Sequence, residues 1–153
     1  MNLTEESMCT VHDVADYIVD RLGSVTPWRL HKLLFFCQAG SLVWEGESMF
    51  PEEFQAWING VTCIEIYEKH KGDWDELNQW KWGDRKALGF IQKETIDAVL
   101  EYYGTFSIQY LADEVQLGEP YKIAREGLKQ FERGASVISK KSIREYYMTL
   151  WDQ

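Results

Sequence analysis

A chain of 153 residues that is 45% hydrophobic and 27% charged falls outside the disordered and fibrous classes, and it can bury a core without metal or disulfide staples. Its net charge of −9 is uneven, with a net −12 on residues 1–121 and a net +3 on residues 122–153. The acidic body lacks the clustered positive charge that phosphate contacts need, which weighs against a polyanionic partner and favours a basic one, although acidity also serves solubility alone. Cys9, Cys37 and Cys63 form no disulfide framework, and residues 1–10 lack the basic and apolar regions of a secretory signal. Free thiols and a cytoplasmic setting are expected.

The first helix is expected to open at Thr10, with Asp13 completing a capping box and Cys9 and Val14 spaced as a hydrophobic staple. Val11, Val14, Ala15, Ile18, Val19 and Leu22 follow at helical spacing up to Gly23. Asp13, Asp16 and Asp20 share its other side and read as a solvated face.

Thr26 to Gly46 is the stretch around which the chain is organised. Thr26 is placed to cap the helix and Pro27 to start it, Val25 and Leu30 form a second staple, and Gly46 is placed to stop it. The apolar run Leu33 to Cys37 predicts a helix buried on most sides, too short and too polar to span a membrane. Gly40 in its middle is expected to admit a neighbouring backbone. Pro51 and the alternation of Phe54, Ala56 and Ile58 then predict a short extended segment near 54–58, turned at Asn59-Gly60. Thr62 is placed to cap a third helix running to about Lys71.

Residues 72–89 have no periodicity. Trp74, Trp80 and Trp82 stand there among Asp73, Asp75, Glu76 and basic residues, and either a lid on the core or an interface would account for them. Beyond them the pattern predicts short helices. Ile96 to Tyr103 leads to Gly104, and Ser107 caps the next with a Phe106–Leu111 staple and Ile108, Leu111, Ala112 and Val115 facing inward. Pro120 starts a segment reaching to Leu128. Ser139 opens the last helix with an Ile138–Ile143 staple, followed by Tyr146, Tyr147, Leu150 and Trp151. The fold class expected is mainly α, a single-domain helical bundle over residues 1–153 around a central buried helix.

No phosphate-binding glycine loop and no nucleophile elbow occur in the sequence. Cys9 and His12 form a lone C-x-x-H, which is half of a zinc site at most, and His31 and His70 are scattered. Cys37 and His31, six residues apart on one helix, point in different directions and cannot act as nucleophile and base. No catalytic, metal or cofactor site is expected. Lys81, Arg85 and Lys86 beside the tryptophans are outweighed by carboxylates as a single-strand binding feature.

The helix T-P-W-R-L-H-K-L-L-F-F-C-Q, the segment M-F-P-E-E-F-Q-A-W, and G-E-P-Y-K-I-A-R together resemble the Panacea domain of SocA-like antitoxins and GepA-like phage-associated proteins. The likeness runs over roughly residues 11–147. It is carried by Thr26, Leu30, Lys32, Leu33, Leu34, Phe36 and Gln38, then by Met49, Phe50, Glu53, Phe54, Ala56 and Trp57 with Gly60 and Tyr67 after them. Glu119, Pro120, Tyr121, Ala124 and Arg125 carry the third motif, and Ile143 to Tyr147 the closing one. The family's G-P-V is Gly60-Val61-Thr62 here, so the rigid turn of the proline is missing. The resemblance implies a mostly helical, non-enzymatic domain, often carried by phages and prophages, that neutralises a protein toxin by direct binding or hands it to a protease. Trp57, Gly60, Trp74, Trp80, Trp82, Asp73, Asp75 and Glu76 are the candidate partner contacts, while Thr26, Lys32, Gln38, Pro120 and Arg125 are read as structural motif residues. A second reading is a phage regulator touching nucleic acid through Lys140, Lys141 and Arg144, and a third is an enzyme of unrecognised type. Neither partner identity nor oligomeric state follows from the sequence.

Overall fold

The computed structural model describes residues 9–151. It is mainly α-helical with a small sheet. Helix α1 (Val11–Leu22) begins with the expected capping box, Thr10 accepting from the Asp13 amide and Asp13 from the Thr10 amide. It ends at Gly23, whose φ of 83° suits a residue without Cβ.

Helix α2 (Pro27–Trp44) buries fourteen of its eighteen residues, so it presents almost no free face, and it packs against α1, the sheet and three later helices. Its start differs from the expectation: Thr26 occupies the N-cap position but makes no side-chain capping bond. The entry is held from outside, where the Val25 amide donates to Leu77 O at 2.9 Å and the Leu77 amide to Val25 O at 2.7 Å. Gly40 meets side chains where a backbone was expected. A Cβ there would lie 2.8 Å from the Trp44 ring and 3.2 Å from the Thr95 methyl.

Strands β1 (Phe54–Trp57), β2 (Gly60–Thr62) and β3 (Val137–Ile138) form an antiparallel sheet in the order β2-β1-β3. The extended segment lies where the alternation placed it. β3 is two residues long, too short for any periodicity to register. Because Thr62 belongs to β2 and donates its hydroxyl to Gly60 O, the N-cap of α3 (Ile64–His70) is Cys63.

Gln38 is buried on α2, donating to Phe50 O at 2.8 Å and accepting from the Met49 amide at 2.7 Å. It fastens the loop that leads into β1. Helices α4 (Phe90–Tyr103), α5 (Ile108–Gln116), α6 (Glu119–Ala124) and α7 (Lys140–Trp151) complete the chain. Ile96, Val99, Leu100, Tyr103, Leu111, Val115, Ile143 and Tyr147 are buried, whereas Ile108, expected inside, is exposed, as is Leu150. Helix α6 stops at Ala124, short of Leu128, and Arg125 turns inward at its end.

The carboxylates of α1 are not a free solvated face. Asp16 accepts from the Arg85 amide at 2.9 Å and pairs with its guanidinium at 3.3 Å, Asp13 accepts from the Asp84 amide at 2.8 Å, and Asp20 lies 3.6 Å from Arg85 Nε. They dock a 3₁₀ turn (Arg85–Ala87), and just before it a Cβ at Gly83 would fall 2.1 Å from the His12 carbonyl oxygen.

Candidate protein-interaction site

The aromatic residues near the start of α2, the hairpin and α3 converge on one face. Trp28, one position after Pro27, stacks on Trp74 at 6.1 Å with the planes 10° apart. Tyr67 stands between Trp74 (6.1 Å) and Trp57 (4.9 Å, edge to face), so Trp28, Trp74, Tyr67 and Trp57 form a continuous ladder. Trp74 is 50% exposed and the other three are half-buried, which leaves large apolar surface in contact with water. Beside Trp57 lies a hollow of about 520 Å³ whose walls include Ile58, Asn59, Tyr67 and Arg133. Asp73, Asp75 and Glu76 flank Trp74, exposed, and none belongs to an ion pair among the described residues.

The hairpin is set in place from α6. Pro120 opens that helix and is buried; Tyr121 donates its hydroxyl to Trp57 O at 2.5 Å. Arg125 donates to Ala56 O at 3.0 Å and also to the carbonyls of Lys129 and Glu132. One guanidinium thus binds adjoining β1 and a loop otherwise short of regular structure, which fixes the position of Trp57.

Under the ladder lie two histidines that the sequence left apart. His31 and His70 meet at 2.9 Å, Nε2 to Nε2. The Cys63 amide donates to His31 Nδ1 at 3.1 Å, so the His31 proton sits on Nε2 and is donated to His70. His70 therefore carries its proton on Nδ1, a buried atom without a hydrogen-bond partner among the described residues. Burial, first of all, holds both imidazoles below their ordinary pKa, and for His31 the neighbouring His70 and Lys32 add to it. A pair 39 residues apart has no local signature; only the packing of α3 on α2 brings it together.

Lys32 lies one residue on from His31 and is only 2% exposed. Its Nζ stands 6.0 Å from the Trp28 ring centre, and burial pushes its pKa down to about 8. Gly60, with φ of 128°, abuts that nitrogen.

Trp80 and Trp82 belong elsewhere. Trp80 is 2% exposed, stacks on His12 and donates to its Nδ1 at 3.3 Å; Trp82, 40% exposed, packs edge-on against Trp80. Of the sequence candidates, then, Trp57, Gly60 and Trp74 with the three carboxylates come together, and the other two tryptophans cover α1. Trp28 was the missed member. Its signal was its place one turn before His31 and Lys32 on a single helix face.

Other chemistry is weakly furnished. All three cysteines are buried, Cys9 bonded to Met49 O, and burial raises their thiol pKa values, that of Cys9 to about 12. Among the described residues, no group of three or more His, Cys, Asp or Glu is arranged to hold a metal ion, and no helix is long and apolar enough to cross a membrane. Lys140 donates to Pro51 O and Arg144 to Leu42 O, so two cations of the basic terminal region are already engaged. No protein-family model, curated protein or solved structure matches this chain.

Proposed function

We propose that the chain is a Panacea-like protein-binding domain of antitoxin type, phage- or mobile-element-associated and cytoplasmic, that neutralises a protein toxin by direct contact or by handing it to a protease. In this reading α2 is the pivot of a single-domain helical bundle, and the Trp28–Trp74–Tyr67–Trp57 ladder is the contact surface. The observation that carries the reading is that ladder: rigid, half-exposed aromatics are the residues through which interfaces gain most of their energy. Three of its members, Trp28, Tyr67 and Trp57, come from segments whose residues resemble the family, and the acidic flank of Trp74 complements a basic partner.

The test is co-expression with the toxic products of neighbouring genes, followed by binding measurements on the rescued pair. Trp74→Ala and Trp57→Ala are each expected to weaken that pair by about tenfold or more, equivalent to about 1.4 kcal/mol, while Trp82→Ala leaves it within about twofold. Toxicity unrelieved with every neighbouring product, or equal loss in all three variants, overturns the reading.

A further inference from the structure

We propose that Lys32 is the receptor for a carboxylate side chain of the protein partner, an inference that takes its partner from the reading above. An ammonium ion that keeps only a narrow contact with water gains from a counter-charge or further acceptors. Lys32 is 2% exposed, and among the described residues it has no ion pair and no hydrogen bond. Its ammonium lies over the Trp28 ring, 6.0 Å from the ring centre. No nearby charge supports its protonated form, and burial alone moves its pKa.

The missing side chain of Gly60 leaves room beside the ammonium. The point at which a Gly60 side chain would begin lies 3.4 Å from Lys32 Nζ and 3.8 Å from Gln116 Nε2, and apart from Gly60's chain neighbours no other atom comes within 4 Å. Gln116 is half-buried, and its amide has no hydrogen bond among the described residues. Two donors thus face one gap, and the two oxygens of a carboxylate can each take one. A phosphate dianion has more oxygens than these donors serve, and the acidic body repels its second charge. Gly60 pairs with Trp57 across the hairpin, so the gap opens at the end of the aromatic ladder. An acidic side chain seated on Lys32 would fix the register of a partner lying across the tryptophans, whose overall attraction comes from basic charge.

Acetate is the probe. At about pH 7, below the Lys32 pKa, it is titrated at constant ionic strength with chloride as the replaced ion, and the Gly60 amide and Trp28 indole NMR signals are followed. Saturable shifts are expected at both. Lys32→Met should abolish them, Gln116→Leu should weaken binding about threefold, and phosphate should bind about tenfold more weakly than acetate. Lys32→Met is expected to stay folded, and Gln116→Leu alters a half-buried surface position, so a folding defect in one leaves the other to decide. Shifts that never saturate, that persist in Lys32→Met, or that are stronger with phosphate overturn the proposal. Acetate reads the lysine with no toxin present, so failure here leaves the aromatic contact surface standing, and failure of every toxin pairing leaves this titration interpretable.

Discussion

Trp74 and Trp80 leave the same irregular segment and end in opposite circumstances. Trp80 is 2% exposed, with its indole nitrogen bonded to His12, while Trp74 is 50% exposed and leans on Trp28 over a buried histidine pair. The difference lies in what each meets. Trp80 lands where α1 offers carboxylates to the turn at 85–87 and its cap Asp84, so backbone amides and an ion pair lock its stretch of chain down. Trp74 lies against rings, and its neighbouring backbone is tied only to the end of its own helix, the Asp73 amide to His70 O at 2.8 Å, before Leu77 bonds to Val25. Identical side chains in one loop therefore divide into a lid and a contact surface according to the polar anchoring of the neighbouring backbone.

That contrast can be broken at four points. Trp80→Ala is expected to cost about 3–5 kcal/mol in urea unfolding, as for other fully buried aromatics, and a loss below about 1 kcal/mol would show that it is no lid. Lys32→Met should have the opposite sign and stabilise the fold by about 1–3 kcal/mol, because an unpaired buried charge is replaced by a chain of similar volume. Third comes acid sensitivity on the ladder side. The folded pKa values of His31 and His70 lie below the ordinary value, so below about pH 6.5 the unfolded chain binds protons that the folded one refuses. Stability from the pair is complete above that pH and falls as pH drops through it, and His70→Phe should flatten the slope in urea midpoints taken across that range. Smallest is Trp74→Ala, within about 1 kcal/mol of the parent in the same unfolding assay, since half of its surface is already in water.

The α1 capping box and the extended segment at Phe54–Trp57 were legible because each carries a local signal, the box closing over three residues and the strand showing as alternation. What escaped was non-local. Asp16 reads as a surface carboxylate until Arg85 arrives 69 residues later, and His31 reads as solitary until His70 faces it. Thr26 shows a subtler failure: its residue type suits a cap, yet the chain enters α2 already tied to Leu77. At the candidate site the sequence marked Trp57, Gly60 and Trp74 without showing that they share a face. It also grouped Trp80 and Trp82 with Trp74 because nearness along the chain was the only distance available.

Gly83 has a consequence for how this sequence can vary. With the His12 carbonyl oxygen 2.1 Å from where a side chain would start, every other amino acid is barred there for as long as the 85–87 turn stays docked. Tolerance at that single codon is therefore a gauge of docking. A randomised library at position 83 that returns only glycine reports a fastened segment, and one that returns alanine and serine reports that the segment has lifted off α1.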